Sequence, residues 1–540
     1  MTDSSPDRRS SGPDLIVTGR IRTMDADRPE AEAIAVTGGR ITAIGTTDTI
    51  RALATADTEV LTVTDGVVYP GFVEPHMHYW ASAMQLDWVD CSTRDGATFD
   101  DVLARLREAQ PAQGDWVLGR LYDPALVDGE RELTRDVLDE VSPDRPIMVM
   151  NASLHFAYVN SAALAAAGIS EDVEDPEGGT FGRDDSGRLN GSLGEIPAMM
   201  AMMRVVPPLS QEQLLDNIVR INQHAAERGY TRTHDAGTGL AIGPQEVDLL
   251  LQLAPRLAGR VTFAVHDYAM DAAIANGLTP FTGDDMCRAI AWKIISDGSN
   301  QGRSGFQREN YQGRDFRGAP NYDHAALVDR IRTAHAHGWQ VMVHANGDAA
   351  IDETIDAYEQ ALDGRSGMDH RDRIEHCSFA HAEHLDRMAA LGLSPSFLIG
   401  HLYYWGDAFE ERIVGAEKAQ LLDPVAGARR RGLRVSTHSD YTVTDFEPLR
   451  EVQTQVTRIR RGSGLPLNAA EAVDVHTALK AKTVDAAWQV HADDTTGTIE
   501  VGKFADLVVL DADPAAVDPS TIADITVQRT IVGGRTVYQA

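Results

Sequence analysis

The sequence predicts an α/β fold, a (β/α)8 TIM-like barrel with a small β-sandwich domain built from both termini. Three observations predict it. Eight short apolar runs between Gly71 and Asp440 each end in polar and turn-forming residues, as buried parallel strands opening into loops do. Helical patterns with apolar residues at three- and four-residue spacing lie between them, and alternation of strand and helix implies parallel pairing. Short β patterns with Gly-Gly turns recur at both ends of the chain.

Taken in order, residues 1–13 carry no apolar run and read as a disordered leader. Residues 14–70 hold β patterns at Leu15–Val17, Ala33–Val36 and Arg40–Gly45, with Gly38-Gly39 as a hairpin turn. Residues 485–540 repeat that style at Phe504–Asp511 and Thr530–Tyr538, so the two segments pair as one sandwich. The barrel spans 71–484 and begins with GFVEPHMH, Gly71–His78. A stretch of about 81–208 follows, too long for a single strand-to-strand crossover and therefore a lid or subdomain over the barrel mouth. It contains a helical pattern at Phe99–Gln110, strand-like runs at Trp116–Asp123 and Ile147–Met150, and a hairpin at Phe181–Glu195. Its methionine-rich run Ala198–Val206 reads first as core packing and second as an adaptable wall for an apolar substrate. Beyond it come strands at Tyr230–Gly237, Val261–Tyr268, AWKIISDG, WQVMVHANGD, RIEHC, Ser394–Leu398 and RVSTHSD, with helices at Gln211–Gly229 and Asp323–Gly338 that each end on glycine.

His76 and His78 stand two residues apart, which on an extended strand puts both imidazoles on one face and offers them to one metal ion. Alone, such a pair is as often surface polarity as a metal site. Downstream strands supply Lys293, His344, His376 and Asp440 at the same topological position, the C-terminal strand ends where barrels of this kind carry their active sites. Trp80, Tyr122 and Tyr403 fall near strand ends or in loops and are candidates for an aromatic-lined substrate pocket.

Seven segments, PGFVEPHMH, HFAYVNSAALAAAGI, GYTRTHDAG, WKIISDGS, HANGDAAID, RIEHC and HSDYTV, follow one another in the order found in the amidohydrolase superfamily. The chain resembles that superfamily, and within it the metal-dependent amidohydrolase group that includes the N-substituted formamide deformylases. The resemblance implies that His76 and His78 bind a more buried metal and His344 and His376 a more exposed one. It implies that Lys293 bridges the two as N6-carboxylysine, and that Asp440 both binds metal and shuttles protons. Only five of the 49 Lys and Arg residues are lysine, so a lysine within a buried strand asks for a chemical reason. Two zinc ions are the expected cofactor, with manganese, iron or cobalt accepting the same donors. His155 and His438 are candidates to assist the developing oxyanion. Arg303, in the glycine-rich loop Ser296–Gly305, and Asn346, in HANGD, are further substrate-binding candidates. Glu74-Pro75 departs from the Asp and Ser or Thr common in relatives, and Tyr441 stands where Trp is frequent.

The implied activity is hydrolysis of a carbon–nitrogen bond other than a peptide bond, in a small amide, formamide, carbamate or cyclic amide, with Asp440 as general base and then general acid. A metal-dependent isomerase or decarboxylase on the same fold is the alternative, and a non-catalytic scaffold relative is a third reading. The length of 540 residues with 43% hydrophobic content suffices for a barrel and a satellite domain. A net charge of -32 speaks against nucleic acid and anionic membrane surfaces as partners, leaving a small-molecule substrate, with a homodimer open. Three scattered cysteines and the lack of a signal-like or membrane-spanning run give a cytoplasmic expectation.

Overall fold

The structure is a computed structural model that describes residues 12–94, 96–127, 129, 131–364 and 369–540. Residues 1–11 of the expected leader lie outside the described residues. Pro13, at its end, is fixed to the body of the protein, its carbonyl accepting a 2.8 Å hydrogen bond from Thr58 Oγ1.

Eight parallel strands make the barrel: β1 (Phe72–Met77), β2 (Tyr230–Thr238), β3 (Arg260–His266), β4 (Cys287–Ile295), β5 (Gln340–Ala345), β6 (Arg373–His376), β7 (Ser394–Phe397) and β8 (Ser436–Thr437). They hydrogen-bond in sequence order from β1 to β8. Just past β8 the chain returns to β1: the Asp440 N–H donates to the His76 carbonyl at 3.2 Å and the His78 N–H to the Tyr441 carbonyl at 3.0 Å. That seam closes the ring. Strand β2 is buried along its whole length, as expected when helices cover one face and the lumen is filled on the other. Small side chains fill the lumen floor: Val73, Ala236, Ala264 and Ala291 pack against Ala486, Ala487, Val490 and Ala492. The segment after residue 484, expected to open the terminal β domain, therefore plugs the barrel instead, because its alanines are small enough for the narrow lumen end.

The terminal strands form one continuous eight-stranded sheet drawn from residues 15–70 and 507–539. The chain leaves β1 through α1 (Tyr79–Gln85) into the insertion, where six strands between residues 89 and 194 form a second sheet. Its expected hairpin is present, Thr180–Arg183 pairing antiparallel with Leu189–Gly194. One face packs on α2 (Glu195–Met203) and the other on the helix Phe99–Glu108. Then α3 (Gln211–Glu227) returns to β2; it starts on a capping box, Ser210 with Gln213, and Gly229 follows at φ +90°. No helix among the described residues is long and apolar enough to cross a membrane.

Candidate metal centre

Strand β1 brings His76 to the barrel mouth and His78 to the start of α1. Asp440, on the returning chain at the seam, sets Oδ1 3.1 Å from His78 Nε2 and 3.4 Å from His76 Nε2. One donor atom from each of the three lies within 4.8 Å of the others. Lys293, from β4, places Nζ 3.2 Å from His76 Nε2. His344 and His376 stand with ring centroids 4.4 Å apart at the ends of β5 and β6, and His376 lies 5.0 Å from His76. The six expected side chains thus stand next to one another at the barrel mouth, from His78 and Asp440 through His76 and Lys293 to His376 and His344.

Two backbone positions make the convergence. By strand alternation Arg373 and Glu375 share one face of β6 and His376 takes the other. His376 instead adopts φ +63°, the left-handed region, which ends the strand and swings its imidazole to the same site; Asp440 does the same at φ +52°. Glu375 is a site residue that the motif reading passed over. Its Oε2 lies 2.5 Å from His76 Nδ1 and 2.8 Å from Arg373 Nη2, all fully buried. The legible signal was the pair of opposite charges two residues apart inside an apolar strand. His76, Glu375 and His438 form a second cluster of metal-type donors, but the Glu375 carboxylate is already committed to Arg373.

Burial lowers the His76, His376 and His438 imidazoles well below their ordinary range, so each stands neutral; neighbouring imidazoles and Lys293 add to this at His76 and His376, and at His438 burial outweighs the pull of Asp440. Burial lowers Lys293 to about 8, against the pull of Glu375 and Asp440, leaving part of its amine deprotonated near neutrality. Burial raises Asp440, but the adjacent His78 imidazole and the Lys293 amine outweigh that and keep the carboxyl below its usual range. Among the described residues, Asp440 Oδ1, His376 Nδ1 and both His438 nitrogens are buried without hydrogen-bond partners. Neutral imidazoles, an anionic carboxylate and unpartnered donor atoms fit a divalent cation. His344 and His376 together offer only two imidazoles, so a second ion there needs a bridging oxygen donor.

The other expected residues divide. His438 stacks on His76 at 4.5 Å, and Asn346 Nδ2 lies 3.1 Å from His344 Nε2 and 3.0 Å from the Gly298 carbonyl; both buttress the histidines. His155 reaches in from the insertion, its ring centroid 5.7 Å from His344 and its Nδ1 2.7 Å from Glu195 Oε2. Trp80 and His155 line a cavity of about 330 Å³ that also touches His78. Three expected residues stand away from this cavity. Tyr122 lies in the core of the inserted sheet against Phe99 and Tyr158, because its strand turns that face away from the mouth. Tyr403 carries Arg450 over its ring and lines a separate crevice with Gly400 and Thr444. Arg303 donates to the Arg412 carbonyl at 3.4 Å and is absent from the cavity wall. Of the α2 methionines, read first as core, Met199 and Met202 do pack in the core of the insertion, and Met199, Met200 and Met203 line the cavity.

A sequence profile of the amidohydrolase family matches residues 60–538. Among curated proteins, an N-substituted formamide deformylase from Arthrobacter pascens is 31% identical over 97% of this chain and 98% of its own. The putative amidohydrolase YtcJ from Bacillus subtilis (strain 168) is 28% identical over 96% and 98%. Among solved structures, an uncharacterized metal-dependent hydrolase from Pyrococcus horikoshii OT3 superposes with a TM-score of 0.75 at 20% identity, covering 94% of this chain and 99% of that one.

Proposed function

The chain belongs to the amidohydrolase family, and from that premise we propose that it hydrolyses a carbon–nitrogen bond other than a peptide bond in a small amide, formamide, carbamate or cyclic amide. The observation that carries the reading is the cluster of His76, His78 and Asp440, with Lys293, His344 and His376 beside it. The name of the relative from Arthrobacter pascens makes N-substituted formamides the first substrates to try.

His76, His78 and Asp440 would hold one divalent ion, and His344 and His376 would contribute to a second site. Lys293 would supply the shared oxygen donors if its amine added carbon dioxide and released a proton, since the resulting carbamate spreads one negative charge over two oxygens. Bound there, such an ion, zinc first, acidifies water and polarises a carbonyl. Glu375 occupies His76 Nδ1 and so fixes Nε2 as the ligating nitrogen. Asp440 takes the proton of the attacking water and returns it to the leaving nitrogen. With its Nδ1 committed to Glu195, His155 has Nε2 left for the substrate oxygen as negative charge develops on it.

Elemental analysis of wild type and Lys293→Ala, purified without added metal or chelator, tests this reading. Near two ions per wild-type chain (about 2, from the two sites argued above) and fewer in the variant support it. No metal, and none taken up on reconstitution, overturns it. Equal release of acid and amine separates hydrolysis from isomerisation or decarboxylation, in which no water is consumed.

A further inference from the structure

The cavity beside His78 has an unusual wall. Of the fifteen methionines in the chain, Met84, Met150, Met199, Met200 and Met203 line it, together with Trp80 and a few aliphatic side chains. They come from three places that fold together: α1, the inserted sheet and α2. Of the polar groups on the wall, Asp235 and His155 are spent, while the buried Gln85 Oε1 has no partner among the described residues. Asp235 accepts from the Tyr79 N–H at 3.1 Å and from Thr238 Oγ1 at 2.6 Å, and His155 is paired with Glu195. Arg204 is exposed and stands at the rim. The buried indole N–H groups of Trp80 and Trp88, both on the wall, have no partner among the described residues. An indole N–H tolerates an aromatic face or an ether oxygen but gives no counter-charge to a carboxylate.

Resting on the reading above, we propose that this cavity is the subsite for the substrate's nitrogen substituent, and that it selects an uncharged, apolar group while tolerating its shape. Two features argue for this occupant. The cavity reaches His78, so a bond cleaved at the histidine cluster leaves one half of the substrate lying along the methionines. Its volume of about 330 Å³ exceeds what a methyl group fills. Shape tolerance follows from the thioether side chains, which are unbranched, have three rotatable bonds and repack around rings and chains alike.

Three results test it, with the zinc-loaded protein. First, kcat/KM is measured for formamides carrying N-methyl, N-butyl, N-(2-phenylethyl) and N-(3-carboxypropyl) groups. Rates rising roughly fourfold per added methylene, with the phenylethyl compound at least equal to the butyl and the carboxypropyl compound far below it, support the proposal. A flat series, or preference for the carboxylate, overturns it. Second, Met203→Asp flattens the series and Met203→Leu restores it; a series unchanged in Met203→Asp removes α2 from the site. Third, calorimetric binding of the non-hydrolysable sulfonamides N-(2-phenylethyl)methanesulfonamide and N-methylmethanesulfonamide tests the cavity without any turnover. If no formamide or amide is cleaved, the proposed reaction fails, and the binding comparison alone decides: tighter phenylethyl binding keeps the cavity assignment, and equal binding ends it.

Discussion

The Glu375 carboxylate is shared between His76 Nδ1 and Arg373, and none of the three side chains reaches solvent. Replacing it by the isosteric amide in Glu375→Gln leaves the Arg373 guanidinium buried without its counter-ion. Breaking one partner of a buried pair costs about 3–5 kcal/mol, and losing the group that orients a ligating histidine costs roughly 10- to 100-fold in metal affinity. Denaturant melts and chelator competition measure the two effects separately; an unchanged metal affinity removes Glu375 from the orienting role. Asp348 poses a different residue-scale question. Its carboxylate accepts from Lys418 Nζ at 2.7 Å, from His381 Nε2 at 3.1 Å and from the Arg308 N–H at 2.8 Å. Burial raises its pKa, but these three donors outweigh burial and hold it at about 2, below the ordinary 3.8. At Lys418, whose ammonium has only this carboxylate in hydrogen-bonding reach among the described residues, burial wins and the pKa falls; the stabilisation is therefore read at Asp348. A depressed carboxylate stabilises the fold above its unfolded value and stops doing so as pH falls through its folded value. The window runs from above pH 4 down to about 2, and the contribution is about 2 kcal/mol. Asp348→Asn should therefore melt below wild type at pH 6, with the gap closing as pH approaches 3.

At the scale of elements, α3 owes its start to Ser210, whose hydroxyl accepts from the Gln213 N–H while Gln213 Oε1 accepts from the Ser210 N–H. Ser210→Ala should cost about 1 kcal/mol, read as a lower denaturation midpoint with an unchanged slope; no shift means that packing of the α3 apolar face carries the helix start. This helix was legible to within two residues of its end, because its signals are local: cap, apolar spacing and Gly229. All eight barrel strands were legible for a related reason, since apolar and β-branched residues run into a polar, turn-forming loop at each, even where lumen-facing positions are polar, as in β2 and β6. What strand patterns do not reveal is a single residue entering the left-handed region. His376 at φ +63° breaks the alternation of β6, so strict alternation would set Glu375 and His376 on opposite faces although both reach the site. Long-range placement was equally hidden. Tyr122 and Trp80 look alike in sequence, yet the inserted sheet turns Tyr122 into its own core while α1 leaves Trp80 on the cavity.

For the whole molecule, the decisive feature is how the first strand meets the last. The seam between β1 and the chain beyond β8 carries few backbone hydrogen bonds, and a buried charge network reinforces it. Glu74 Oε1, on β1, accepts the His76 N–H at 3.3 Å and the Ser439 N–H at 3.2 Å, which ties both sides of the metal centre to one carboxylate. Lys482 joins Glu74 Oε2 at 3.4 Å to Glu451 Oε2 at 2.9 Å and donates to the Thr437 carbonyl at 3.1 Å. The departure of Glu74 from the commoner Asp thus acquires a reason: one more methylene lets the carboxylate serve the seam and a buried lysine together. Lys482→Met leaves two buried carboxylates without their cation and should destabilise the protein by about 3–5 kcal/mol. If the network acts as a unit, adding Glu74→Gln relieves part of that loss, since one of the two stranded charges is then gone. The double variant should be more stable than the sum of the single effects predicts by about 1–3 kcal/mol. Urea denaturation of the four proteins in the cycle measures this, and strict additivity would mean that Glu74 and Lys482 act on the seam independently.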